Sequence, residues 1–154
     1  MIAIHVTIKT EPDLTTPALT LHLPVNYPGA EQLLAQLQNL SAQAATLTVS
    51  QAGHTVQLPL ATILFFEAEG HQVRAHTCKT SYQTKRHLYE LATQLPPNFL
   101  RVSKSAIVNT QAIYSLTKSL TGNLIEFNHT HKQLYASRRY YRDLKLTLEK
   151  ETFK

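Results

Sequence analysis

The chain has 154 residues, a formal net charge of +5 and a single cysteine, Cys78. That length fits one domain, or one domain with a small appendage, and buries roughly 70% of the surface an unfolded chain exposes, so folding needs neither a disulfide nor a metal. A hydrophobic content of 43% with 16% charged residues excludes a disordered chain. The opening MIAIHVTIKTEP lacks the basic region and apolar core of a signal peptide. The longest apolar run, around ATILFF, is a strand's length and far short of the ~18 residues that span a bilayer. A soluble, cytoplasmic protein is expected.

Charge is unevenly distributed. Residues 1–60 hold one base and three acids, whereas residues 61–154 hold fourteen bases and seven acids. Between Asn98 and Lys145 eight bases face two acids. Cations concentrated in one segment are the footprint of a polyanion binder. A merely solvated basic face is the bland alternative.

In chain order, Ile2, Ile4, Val6 and Ile8 alternate with other residues, which predicts a half-buried strand over Ile2–Lys9. A Pro- and Thr-rich connection follows, and LTLHLP at 19–24 reads as a second strand. Pro28-Gly29 opens a helix with Leu33, Leu34, Leu37 and Leu40 at helical spacing, running to about Gln43. Its nearly uncharged face points to core or dimer packing. LTVS and HTVQLPL around Ala52-Gly53 form a hairpin, as do ILFFEAEG and HQVRAHT around Gly70. Cys78 is read as a half-buried strand residue just beyond them. YQTKRHLYELATQL, with Leu88, Leu91 and Leu95, reads as a helix stopped by Pro96-Pro97. Strands follow in FLRVSKSAIVN, AIYSLT, LIEF and QLYASR, with turns at Gly122-Asn123 and His129–His131, and YYRDLKLTLEK is a C-terminal helix. No two helices are joined by a short turn, so a helix-turn-helix reader is not expected. If DNA is bound, loops between strands must read it.

Four blocks, ILFFEAEGHQVRAHT, LPPNFLRVSKSAIVN, AIYSL and KQLYASRRYYRDLK, resemble in this order the LytTR family of bacterial DNA-binding domains. The likeness spans roughly residues 55–150. It implies a mainly β fold (α+β overall), an elongated domain of small antiparallel sheets with short helices, preceded by a small β-α N-terminal portion. The expected division is 1–50, a strand–helix portion serving dimerisation, and 51–154, the LytTR-like domain. In the family, inter-strand loops enter successive major grooves and read imperfect promoter repeats. A receiver domain usually precedes them; the ~55 residues before the match are too few for one, so the stand-alone form is expected. Some stand-alone relatives are restrained by a membrane protein, and the resemblance implies such an inhibitory partner.

The resemblance places DNA contacts in three clusters. The first is His71 and Gln72 with Arg74; the second is Ser103, Lys104 and Ser105; the third is Arg138 and Arg139, with Tyr140 and Arg142. Asn109 and Glu67 also match family positions and are read as structural, Asn109 bonding a turn and Glu67 anchoring a strand end. The residue types suit the task. Three arginines at the start of a helix oppose its dipole, which a bound anion would relieve. Lys104 and Arg138 are the candidates for guanine O6 and N7. His71 and Gln72 sit at a loop tip, and Ser103 and Ser105 offer short hydrogen-bonding groups.

Enzyme chemistry finds no support. GxSxG, GxxxxGK[ST] and HExxH are absent, and His129 and His131 beside Glu126 lack a third ligand at defined spacing. Glu67 and Glu69 are read as lying on opposite faces of one strand. The sequence therefore predicts no catalytic residue, no cofactor and no metal, but a regulator that binds double-stranded promoter DNA as a homodimer. Two rivals stand beside it: a module docking an acidic partner or an anionic membrane surface, and a single-stranded RNA binder, which would need clustered aromatic platforms.

Overall fold

The computed structural model describes residue 12 and residues 19–152; the strand expected over Ile2–Lys9 lies outside them. Helix α1 (Ala30–Ala44) comes first, then the hairpin β1 (Thr46–Gln51) and β2 (His54–Pro59) and a short helical turn at Leu60–Thr62. β3 (Phe65–Glu69), β4 (Gln72–His76) and β5 (Ser81–Thr84) lead into helix α2 (Leu88–Gln94). β6 (Phe99–Ser103), β7 (Ala106–Asn109), β8 (Ile113–Lys118), β9 (Asn123–Phe127) and β10 (Gln133–Ala136) precede helix α3 (Arg138–Thr152). Among the described residues every strand pairing is antiparallel, seven strands forming one sheet in the order β2-β1-β5-β4-β3-β7-β6 and three a second in the order β10-β9-β8. This is the mainly β, α+β fold the sequence predicts.

The large sheet has a core on each face, and two consecutive residues show how. In β3, Phe65 and Phe66 point to opposite sides, because strand side chains alternate. Phe66 packs with Val73, Ala75, Ile107, Leu47 and Val49 and with Leu88 and Leu91 of α2. Phe65 packs with Val102, Ala106 and Val108, with Ile125, Phe127 and Leu134 of the small sheet, and with Leu144 of α3. The small sheet and α3 thus close one face of the large sheet, and α2 covers part of the other.

Three local expectations differ from the structure. Residues 19–24 form no strand; the alternation of LTLHL is present, but no described strand pairs with it, and Leu19 and Leu21 are exposed. The single helix expected over 82–95 is divided. Tyr82–Thr84 belong to β5, with Gln83 opposite both Arg74 and Ser50, and the helix starts only after His87, whose amide donates to Glu90 Oε2 at 2.7 Å. Cys78 is exposed, in the turn between β4 and β5 rather than in a strand.

Asn109 holds the sheet to the segments around it. It is buried; its Nδ2 donates to Ile63 O (2.9 Å), while its Oδ1 accepts from Asn98 Nδ2 (2.9 Å) and Gln111 N (3.2 Å). Truncation strands these groups away from water. Asn109→Ala is expected to cost about 1–3 kcal/mol, read as a lowered midpoint of urea unfolding at unchanged m-value; an unchanged midpoint would show the network to be dispensable.

Candidate nucleic-acid interface

Three connections meet at one end of the large sheet. The β3–β4 turn carries Gly70 at φ +62°, a left-handed conformation that suits glycine, with His71 and Gln72 exposed after it. Because β3 pairs antiparallel with β7, placing Glu67 opposite Ala106, the β6–β7 turn lies beside this one, and Ala68 N donates to Ser105 O across them at 2.8 Å. β6 in turn touches the start of α3, where Ser137 N donates to Val102 O at 2.8 Å. The register therefore brings residues 70–72, 103–105 and 137–142 to the same end.

The β6–β7 turn is internally braced. Ser105 N donates to Ser103 Oγ (3.1 Å) and the two hydroxyls lie 3.3 Å apart. Arg101 donates from Nε to Ser103 O (3.1 Å) and from a terminal nitrogen to Lys104 O (2.6 Å), so its guanidinium clamps the turn from beneath. Lys104 itself is exposed at the tip. Sequence reasoning left Arg101 out; its signal was a basic residue inside an otherwise apolar strand, two positions before Ser103.

Helix α3 begins at Arg138 and has no acidic residue in its first turn. Arg138, Arg139 and Arg142 are exposed, while Tyr140 is half-buried with the Arg139 guanidinium 5.7 Å from its ring centre. Tyr140 N and Tyr141 N donate to Ser137 O at 3.1 and 3.0 Å, and the amides of Arg138 and Arg139 precede the helical ladder, so the end carries partial positive charge that three arginines increase. Beside it runs a groove lined by Ser103, Arg138 and Tyr141 and by the β8–β9 connection. There Lys118 Nζ stands 5.9 Å from the Tyr141 ring centre. Lys118 and Tyr141 were also missed, because only the folded β8–β9 hairpin brings position 118 to the start of α3.

Arg74 is differently placed. It lies on the face of the large sheet that also presents Glu67, Glu69 and His76, and its Nε is 3.9 Å from Glu69 Oε2. The Arg74 Nε is buried and makes no hydrogen bond, but the two side chains are 39% and 53% exposed and 3.9 Å is long for an ion pair, so this contact is weak. Glu67 and Glu69 share this face, contrary to the opposite-face reading, since strand positions two apart point the same way. Glu67 is also mid-strand, opposite Arg74, rather than at the strand's end.

His76 stacks on Phe65, ring centres 4.3 Å apart. Burial, and then the nearby Lys132 charge, push its pKa down to about 4. Burial, followed by the Glu69 charge, raises the Glu67 carboxyl above its ordinary value. The 3.9 Å approach of His76 Nε2 to Glu67 is therefore no ion pair at neutral pH. Ligand atoms of Glu67, Glu69 and His76 lie within 4.8 Å of one another. The cationic Arg74 beside Glu69 and the Lys132 charge near His76 disfavour a metal there, and we assign none.

A family model described as the LytTr DNA-binding domain matches residues 53–149. The chain belongs to the LytTR family. Similar relatives include Staphylococcus aureus proteins named as HTH-type transcriptional regulators. One, from strain bovine RF122 / ET3-1, is 34% identical over 86 residues, covering 56% of this chain and 58% of its own length. Another, from strain NCTC 8325 / PS 47, is 35% identical over 83 residues, covering 54% and 56%. The matched region thus spans a little over half the length of these curated relatives. A solved LytTr DNA-binding domain from Bacillus cereus superposes with a TM-score of 0.60 at 20% identity, covering 66% of this chain and 96% of that one; it shares the LytTR fold. Despite the relatives' names, no two helices are adjacent in sequence among the described residues, and α2 and α3 are separated by five strands. No described helix is long and apolar enough to cross a membrane.

The LytTR sheet should respond to acid through His76. Its folded-state pKa lies below the ordinary histidine value of 6.5, so the unfolded chain takes up the proton first as pH falls. This contribution to stability is complete above about pH 6.5 and is lost as pH drops toward about 4. In an NMR titration the His76 ring resonances should move with a midpoint near 4; a midpoint at 6.5 would contradict the stacked, desolvated imidazole.

Proposed function

We propose that this chain binds double-stranded DNA sequence-specifically and acts as a bacterial transcriptional regulator, reading promoter repeats through inter-strand loops in the major groove. One observation carries the reading. Strand register brings His71 and Gln72, Ser103–Ser105 and Arg138–Arg142 to one end of the sheet, with Lys104 and the three arginines exposed. The family and the names of its relatives support it.

The chemistry divides by residue. Arg139 and Arg142 meet phosphates, where cations supply affinity and salt sensitivity without sequence choice. Lys104 and Arg138 reach base edges, where a bidentate contact to guanine O6 and N7 discriminates by about 1–3 kcal/mol. Lys104 is suited to this because Arg101 holds its turn rigid before any partner arrives, which lowers the ordering cost of binding. Ser103, Ser105, His71 and Gln72 add short-range hydrogen bonds. Arg74, already facing Glu69, contributes to the charge of this end more than to a direct contact.

The chain acts as a homodimer in this reading, because repeated half-sites reward two linked readers through effective concentration. α1 is the contact we favour. Leu34 and Leu40 are 53% and 62% exposed, and Glu31 is its one charged residue, so two copies can meet there without like-charge repulsion.

The test is a salt titration of affinity, by fluorescence anisotropy, for a duplex selected from a random pool and for a scrambled duplex. Log affinity should fall steeply and linearly with log salt for both, while the preference for the selected duplex survives. Lys104→Ala and Arg138→Ala should each cost about 1–3 kcal/mol on the selected duplex and relax choice at one base pair. Arg142→Ala should weaken both duplexes alike and shallow the salt slope by about 1. Equal affinity for both duplexes in the wild type, or unchanged binding in the Lys104 and Arg138 variants, would overturn the assignment.

A further inference from the structure

The β8–β9 connection, residues 119–122, runs along the groove that Arg138 and Ser103 line. At its tip stands Leu120, 104% exposed. A lone surface leucine is ordinary and needs no explanation. This one differs in how it is held. Ser119 donates to Gly122 O from both its backbone N and its Oγ, each at 2.9 Å, and its hydroxyl lies 3.0 Å from that of Thr121. Gly122 has φ +152°, and a Cβ there would come within 3.0 Å of Tyr135 Cδ1, so the turn depends on glycine and rests on an aromatic ring. Lys118, at the base of the turn, reaches toward Tyr141, three residues beyond Arg138. Leu120 is therefore an apolar side chain carried at the tip of a turn whose backbone is held, set among hydroxyls and cations at the margin of the groove that Arg138 lines.

A partner for that side chain must offer a small apolar patch framed by negative charge. The major groove of duplex DNA has one at every thymine, whose C5-methyl lies at the base edge between two rows of phosphates. We infer that Leu120 packs on a thymine methyl in the major groove entered by Arg138, making the β8–β9 turn a fourth reading element. Lys118 and the Ser119 and Thr121 hydroxyls flank it on the phosphate side. This inference rests on the DNA-binding reading, and it adds discrimination of A·T from G·C beside the position that Arg138 reads.

The probe is a duplex selected from a random pool by the wild-type chain, together with copies in which single thymines are replaced by deoxyuridine, which removes the methyl and keeps the base pair. At one thymine beside the base pair sensitive to Arg138→Ala, deoxyuridine should weaken wild-type binding about 3–5-fold, the effect of removing one buried methyl from water's reach. Leu120→Ala should weaken binding to the unmodified duplex to a similar degree. Combined, the two changes should cost no more than either alone, since both delete the same contact. Leu120 touches no core, so the variant should unfold at the wild-type urea midpoint. Additive losses, deoxyuridine effects that vanish at every position, or a Leu120→Ala loss indifferent to thymine methyls would overturn the inference and leave the broader reading intact. Failure of the wild type to bind any duplex would overturn both.

Discussion

The pairing of β3 with β7 is the contact on which the rest of the molecule depends. It puts Phe65 against Val108 and Phe66 against Ile107, so consecutive phenylalanines seed the cores on the two faces of one sheet. The same register sets Glu67 opposite Ala106 and closes with Ala68 N on Ser105 O. A slip of one residue would exchange the faces of the whole strand, expelling both rings from their cores. It would also displace the β3–β4 turn from the β6–β7 turn. Core formation and the juxtaposition of the two turns are thus one event, not two.

At that end the structure departs from what stability alone would choose. A helix gains from acidic residues in its first turn, yet α3 begins with Arg138, Arg139 and, one turn on, Arg142. Arg101 spends its guanidinium on two backbone carbonyls to hold Lys104 outward rather than on an acid. The proposed duplex contact accounts for this departure, since a bound anion offsets the cost of cations at a helix start. Exposed Lys104 at one turn and Arg138, Arg139 and Arg142 at the helix start gather cations at this end, which is the feature the proposed duplex contact rests on.

Much of this was readable without coordinates, for a physical reason. Hairpins at Gly53 and Gly70 are local: a glycine at positive φ between two alternating runs determines both strands together. The helix at Leu88 and the long last helix follow equally local spacing. What escaped was non-local. β5 exists because β4 and β1 stand on either side of it, and Tyr82–Thr84 alone merge by spacing into the helix that follows. Residues 19–24 alternate correctly and still find no described partner. The three clusters named for DNA rest on family resemblance, which condenses the fold into a pattern, and what the structure adds is that they lie at one end of the sheet. Arg101, Lys118 and Tyr141 escaped it, since each stands under or beside a cluster member only in the folded chain. The misplacing of Glu67 and Glu69 on opposite faces was an error of periodicity that the residues themselves could have corrected.

The central claim is that one end of the sheet, and no other surface, meets the duplex. Mapping backbone amide shifts during titration with a duplex selected from a random pool tests it directly. The changes should concentrate at residues 70–72, 103–105, 118–122 and 137–142 and fade together as salt is raised. Changes centred instead on the opposite end, at the β4–β5 turn around Cys78 and the β9–β10 turn around His129, would contradict it.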